Sequence, residues 1–377
     1  MDYKNEFSDF GNVTYLDVAG QGPMPRSAAQ AMRRAVEWKE QPQKMPEGVH
    51  FDLPDRVRAL VARIIGAKAS EVAITTGATT GLAAIACGID WKADDEVLIA
   101  EREFPATFAA FAPLAERGQL RVRTVRAREP FLRAEDFVKS IGPRTRLVAT
   151  SLVRFQDAAR IDARPLADAC HAARAWLALD VSQCAGAMPV DVAQLGADFV
   201  VSAGYKWLLS PNATGFFWLR EDLIGQMRPA PFYWTALPHA RAFESLDAPA
   251  PYRPEPGPRR WDAPETASLN LVAMEASLEF LLRASVESVW QHNRRLIGQI
   301  LGQLPVDRCV LASPADPHFR GPFVCIAGRS PEKTRALYRN LRQAEMIVSL
   351  RENAIRISPH LYTSAGDIDR LAAALTI

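Results

Sequence analysis

Short apolar runs alternate with helix-period segments up to about residue 220. The strand-like runs are Val72–Thr75, Val97–Ala100, Leu120–Val125, Arg146–Ser151, Trp176–Asp180, Phe199–Ser202 and Gly215–Leu219. Between them, Gly81–Cys87, Thr107–Arg117, Arg164–Arg174 and Ala193–Gly196 carry helical spacing. Alternation of this kind predicts an α/β fold with a mostly parallel central sheet, whose ligands sit at the carboxyl ends of the strands. From Pro229 to Pro258 the pattern breaks: eight prolines fall in a stretch without clear periodicity, which predicts a long ordered loop. Helical spacing returns over Glu265–Leu282 and Val286–Leu304. A strand-like run at Pro322–Ala327, a helix at Pro331–Arg342, a strand at Ala354–Ser358 and a helix at Gly366–Leu375 predict a smaller α/β domain. The expected division is an N-terminal segment over 1–30, a large domain over 31–258 and a small domain over 259–377.

Composition narrows the class. The chain has 377 residues, is 48% hydrophobic and carries a net charge of +2, so it has material for a large core and no electrostatic signature of nucleic acid or membrane binding. Its five cysteines and six histidines are scattered, with no CxxC or HxxxH pair, and no metal site is expected. No apolar run reaches membrane-spanning length, and Met1–Glu6 has no apolar character of a signal peptide, so the expectation is a soluble cytoplasmic protein.

The chemistry gathers just after the predicted strands. Lys206 stands in Ser202-Ala203-Gly204-Tyr205-Lys206-Trp207, past the run Ala197–Val201. Desolvation there favours the neutral, nucleophilic amine and suits Schiff-base chemistry. The plain alternative is a surface lysine whose stem covers Trp207. Upstream, Trp176–Asp180 ends on an aspartate. A lysine to carry an aldehyde and a carboxylate to keep a pyridine nitrogen protonated are what pyridoxal 5'-phosphate (PLP) requires. Gln183, three residues on, is placed to reach the phenolic oxygen of that cofactor. Thr75–Gly81 follows a strand and opens a helix, so Gly77, Ala78 and Thr79 are candidates for a phosphate cup, or else for an ordinary turn with a threonine cap. Ser202 and Tyr205 are further phosphate donors. Phe104 supplies a flat face for stacking or is one more core ring. Arg356 interrupts an apolar strand, where a guanidinium suits a bidentate clamp on a substrate carboxylate or a structural ion pair.

Taken together these residues resemble the class V aminotransferase family of fold-type I PLP enzymes, the group that includes cysteine desulfurases and isopenicillin N epimerase-like proteins. The resemblance begins at Tyr15-Leu16-Asp17-Val18-Ala19-Gly20, runs through the threonine–glycine turn, Glu103-Phe104-Pro105, Asp180 with Gln183 and Gly204–Trp207, and ends at Arg356–Tyr362. It implies that Ala19 and Gly20 line the active site and that the protein is a homodimer acting on a small amino substrate. It also implies that a partner residue completes the phosphate site, for which Thr266 is the candidate.

Three departures shape the expected reaction. Ile347–Asn353 has no cysteine where desulfurases carry their nucleophile, and Cys325 falls in a strand-like run where a thiol is buried and inert. Phe104 replaces a histidine. Phe155 stands where many relatives have asparagine, with Arg154 beside it as a second anion contact for the substrate. The resemblance implies transamination first and epimerisation or β-elimination second. A PLP-fold protein without turnover conflicts with the presence of both Lys206 and Asp180. A nicotinamide-dependent oxidoreductase conflicts with the absence of a GxGxxG turn.

Overall fold

The apolar runs before residue 220 pair side by side into one sheet. The computed structural model describes residues 3–228, 233–242, 253–263 and 267–376. After a short strand β1 (Thr14–Tyr15), two helices come first, α1 (Arg26–Glu40) and α2 (Val49–Ile65). The α/β alternation then runs β2 (Val72–Thr75), α3 (Ala78–Gly88), β3 (Glu96–Ala100), α4 (Pro105–Glu116), β4 (Arg121–Val125), α5 (Ala134–Val138), β5 (Thr145–Ser151), α6 (Ala163–Ala172), β6 (Trp176–Asp180), α7 (Val192–Leu195), β7 (Phe199–Ala203) and β8 (Gly215–Leu219). The sheet order is β2-β8-β7-β6-β5-β3-β4, parallel except for β8, which runs against both neighbours.

Helices on both faces explain the sequence texture. Strands β3, β7 and β8 are buried at every position, which is why they read as unbroken apolar runs rather than alternating ones. Edge strand β4 instead carries Arg121 and Arg123, charges that discourage pairing with a further strand. Because β2, β3, β5, β6 and β7 point the same way, Thr75, Ala100, Ser151, Asp180 and Ala203 all end at one rim of the sheet.

The early helices α1 and α2 are absent from the sequence-based expectation. The buried side of α1 is alanine (Ala28, Ala31, Ala35), and α2 contains Pro54, so neither shows a stripe of large apolar residues free of breakers. Helix α8 (Ser268–Ala284) packs on both. Its Leu271, Met274, Leu278 and Leu281 join the core of the large domain, so the expected boundary at 259 falls ahead of a helix that shares that core.

The remaining chain forms α9 (Val286–Gly302), β9 (Cys309–Leu311), β10 (Val324–Gly328), α10 (Pro331–Gln343), β11 (Met346–Ile347), β12 (Ser349–Arg351), β13 (Ala354–Ile357) and α11 (Ala365–Thr376). Strands β12-β13-β10-β9 make an antiparallel sheet with its own core of Leu296, Ile300, Ile326, Leu341, Ile355, Ile357 and Leu371. Strand β1 pairs in parallel with β11, tying the N-terminal segment to this smaller unit. Among the described residues no helix is long and apolar enough to cross a membrane.

A buried ion pair closes the other edge of the large sheet. Arg58 donates to Asp262 through Nη1 (3.1 Å) and Nη2 (2.9 Å), and also to the Val72 carbonyl. Asp262 in turn accepts from Ile74 N at 2.8 Å, and Ala263 N donates to the Ile74 carbonyl at 2.9 Å. The free side of β2 is thus satisfied without another strand. Replacing Asp262 with alanine strands a buried guanidinium, which costs about 3–5 kcal/mol. Urea denaturation of Asp262→Ala is expected to show that loss, and the double variant Arg58→Met with Asp262→Ala is expected to recover part of it.

Candidate active site

Residues at or just past the ends of β2, β3, β6 and β7, with the N-terminus of α3, surround a cavity of about 280 Å³. Its lining includes Gly77, Ala78, Thr79 and Thr80 on one side, Phe104 on another, and Asp180, Ser182, Ala203, Tyr205 and Lys206. Gly77 is the N-cap of α3, with φ 156°, and no side chain caps the helix. Thr76 and Thr80 hydroxyls meet at 2.7 Å. The first-turn N–H groups of a helix have no intrahelical acceptor, and they carry the positive end of its dipole. This end of the cavity is therefore built for an anion. A side chain at Gly81 would run into Val201, since an added Cβ would lie 2.6 Å from Cγ1. That close approach seats α3 on β7 and fixes the helix end at the rim.

Lys206 is 7% exposed. Burial lowers its pKa to about 8, with the Asp180 carboxylate pulling the other way and Arg356 and Arg351 adding to the depression. Its Nζ lies 5.2 Å from the centre of the Phe104 ring and 5.6 Å from that of Tyr205. Asp180 is also buried, and desolvation pushes its pKa up, opposed by hydrogen bonding to Ser182 and by Lys206. Its Oδ1 accepts from Ser182 N at 2.8 Å, while the Ser182 hydroxyl accepts from Ala203 N at 2.8 Å. Ser182 thus ties the ends of β6 and β7 together.

The N-terminal segment crosses over the lysine. Gly22 N donates to the Tyr205 carbonyl at 2.8 Å, and a Cβ at Gly22 would fall within 1.9 Å of the Lys206 carbonyl oxygen. Only glycine fits that crossing. Ala19 accepts from Gln183 Nε2 at 3.1 Å and its N–H donates to Ser358 Oγ at 3.1 Å, while Gly20 N–H turns back to the Asp17 carbonyl. Gln183 also accepts from Trp207 Nε1 at 3.0 Å, so its amide joins the crossing segment to the lysine loop.

Other expected site residues take different places. Ser202 is fully buried, its hydroxyl donates to the Ala203 carbonyl, and Ala203 rather than Ser202 faces the cavity. Arg154 is buried beneath the rim, donating from Nη2 to the Glu101 carbonyl at 2.8 Å with Asp157 at 3.8 Å from Nε. Arg356 is 1% exposed and pairs with Asp17 at 3.1 Å, donates to the Phe155 carbonyl at 3.3 Å, and keeps a buried Nε without a partner among the described residues. Thr266 lies outside the described residues. Cys325 is fully buried, its thiol pushed up to about 12 by desolvation and donating to the Gln156 carbonyl at 3.3 Å.

Sequence reasoning passed over Glu103. Its carboxylate is buried at the rim and accepts from Thr150 Oγ1 (3.0 Å), Ser151 N (2.9 Å), Ser151 Oγ (2.7 Å) and Phe104 N (2.9 Å). It clamps the Phe104 turn to the end of β5. The available signal was an acidic residue beside the stacking phenylalanine, just past an apolar run. Glu103→Ala leaves those donors unsatisfied and is expected to cost about 1–3 kcal/mol in denaturant unfolding. Glu103→Gln keeps acceptor capacity on one oxygen and is expected to cost less.

The comparisons with known proteins agree with this geometry. The family model described as "Aminotransferase class-V" matches residues 14–371. Isopenicillin N epimerase of Streptomyces clavuligerus is 27% identical over 391 residues, covering 96% of this chain and 94% of that protein. Kynureninase of Deinococcus radiodurans is 30% identical over 288 residues, covering 73% of this chain and 67% of that protein. Among solved structures, a C-DES mutant with glycine covalently linked to its PLP cofactor superposes with a TM-score of 0.88 at 22% identity, over 99% of this chain and 98% of that one. The fold is that of the fold-type I enzymes, and with a matching model over nearly its whole length the chain belongs to the class V aminotransferase family.

Proposed function

We propose that this chain is a PLP-dependent enzyme acting on an amino group next to a substrate carboxylate, with transamination as its reaction. The observation that carries the reading is one cavity holding a desolvated Lys206, a buried Asp180 and the uncapped end of α3. The residues fit the group. Asp180 is a carboxylate whose burial Ser182 and Lys206 offset only in part, so a cationic N–H would be a favourable partner for it. The α3 amides and threonine hydroxyls suit a phosphate, and the Phe104 ring suits the flat face of a pyridine. When bound, PLP supplies a sink for the electron pair left at the substrate's Cα.

The roles of the chain's own residues follow. Lys206 would hold the cofactor's aldehyde carbon through Nζ at rest, and its neutral amine would take the substrate's Cα proton and return it. Its low pKa keeps a usable fraction neutral near neutral pH. Asp180 keeps the ring nitrogen protonated. Gln183, fixed by Ala19 and Trp207, keeps one amide hydrogen that would serve the cofactor's phenolic oxygen. Tyr205, on the cavity wall, is a further donor to the phosphate. Arg356 takes the substrate carboxylate, and Ala19 and Gly20 belong to the same substrate-binding set. Arg154 supports the rim beside it. A homodimer, with Thr266 contributing to the partner's phosphate site, and a cytoplasmic setting complete the proposal.

Epimerisation is the second reading, favoured by the relative from Streptomyces clavuligerus that aligns over 96% of this chain. Two-base epimerisation needs a proton carrier on the face away from the lysine. Of the residues lining the cavity, Tyr205 is the titratable one besides Lys206 and Asp180, and burial raises its pKa. A single amine at the cavity fits transamination better.

Two measurements test the reading. Adding PLP to the purified protein is expected to produce a visible absorption band that Lys206→Ala lacks; equal spectra for the two proteins would overturn the assignment. Only the neutral amine attacks the aldehyde, and the charged form dominates below a pKa of about 8. The rate of cofactor uptake is therefore expected to rise about tenfold per pH unit below that value and to level off above it. Mixing the loaded enzyme with L-amino acids then separates the reactions: stoichiometric keto acid marks transamination, and loss of optical rotation without keto acid marks epimerisation.

A further inference from the structure

The hairpin formed by β12 and β13 carries two arginines on one face. Its register pairs Ser349 with Arg356, Leu350 with Ile355 and Arg351 with Ala354. Residues paired across strands share a face, and alternate residues along a strand do too. Leu350 and Ile355 therefore turn together into the small-domain core, as their packing shows. Ser349, Arg351 and Arg356 occupy the opposite face. That face packs on segments flanking the cavity: Ser349 Oγ donates to Asp17 Oδ2 at 2.6 Å, Arg356 reaches Asp17 and the Phe155 carbonyl, and the Phe155 ring meets that of Phe104 at 5.4 Å.

The hairpin tip is docked as well. Glu352 accepts from Arg102 Nε at 2.9 Å, and Arg102 lies two residues before Phe104, whose ring faces the Lys206 amine. Both Arg102 (φ 55°) and Glu352 (φ 52°) hold left-handed backbone, so both chains turn at this junction. Arg351 is thus fixed between two anchor points at the rim, one at Arg102 and one at Asp17.

The two arginines differ in how they are neutralised. Arg356 has Asp17 at 3.1 Å. Arg351 is half-buried and forms no ion pair among the described residues, and its Nη1 bonds only to its own chain at Leu350 O (3.0 Å). Its charge reaches Lys206, since Arg351 and Arg356 both help depress that amine. A partly desolvated guanidinium without an acid, on the face that carries the carboxylate clamp, is a subsite for a second anion.

We propose that the substrate is an amino acid whose side chain ends in a second anionic group, bound by Arg351 while Arg356 takes the α-carboxylate. The proposal rests on the reading of Lys206 and Arg356 given above and adds the substrate class.

Unreactive acids test this without turnover. Calorimetric titration of the PLP-loaded protein with glutarate and with butyrate compares two carboxylates against one, neither bearing an amine. Wild type is expected to bind glutarate about 10- to 100-fold more tightly than butyrate, the worth of one charge-assisted contact. Arg351→Gln is expected to erase that preference, and Arg351→Lys to keep part of it. Equal affinities in the wild type, undetectable glutarate binding, or a preference that survives in Arg351→Gln would each overturn the subsite. Failure of the underlying cofactor assignment shows separately, as the absence of Lys206-dependent absorption before any acid is added.

Discussion

Keeping a lysine out of water is the constraint around which this structure is organised. Desolvating an ammonium is expensive, and proteins meet that cost by pairing the group or letting it lose its proton. Here the α3 end, the Phe104 turn, the Ser182 bridge and the N-terminal crossing at Gly22 all close around Lys206. Asp180 lies near enough to offset part of the burial, and the arginines on the small-domain face push the other way. The outcome is an amine whose pKa falls to about 8, charged or neutral with little driving force either way. A group in that state is suited to carry a carbonyl and to move protons.

The parallel sheet makes this arrangement economical. Five strands deliver their last residues to one rim, so Thr75, Ala100, Ser151, Asp180 and Ala203 arrive together without long excursions. The loops that follow need only short runs to place Gly77, Phe104, Ser182 and Lys206. Buried polar groups stiffen them. Glu103 holds the Phe104 turn through four donors, and Gln183 joins Ala19 to Trp207. Satisfied networks of this kind fix geometry because any displacement strands a buried polar atom.

The small domain is tied to the lysine loop through the N-terminal segment. Strand β1 pairs with β11, and Asp17 reaches across to both Ser349 and Arg356, so the N-terminal segment, the hairpin and the lysine loop form one connected wall. Asp17 compensates the buried Arg356 guanidinium, and Nε of that side chain is left without a partner among the described residues. Beside it stands Arg351, which forms no ion pair among the described residues.

Much of this was readable in the residues. The seven predicted strands match β2 through β8 to within a residue or so at their ends, because strands buried on both faces leave unbroken apolar runs. Lys206, Asp180, Gly77 and Phe104 were recognisable because each follows such a run. Helices α1 and α2 were not, since an alanine-lined face and an internal proline give no strong period. Ser202 and Ala203 are adjacent in β7 and face opposite sides of the sheet, and only the packing of the two faces decides which of them meets the cavity. Glu103, Ser182 and Asp17 gain their roles from partners tens to hundreds of residues away, contacts that leave no periodic trace in the chain. Local pattern fixes which residues stand at strand ends; the direction of each side chain, and the charges it meets there, are set by long-range packing that sequence spacing does not encode.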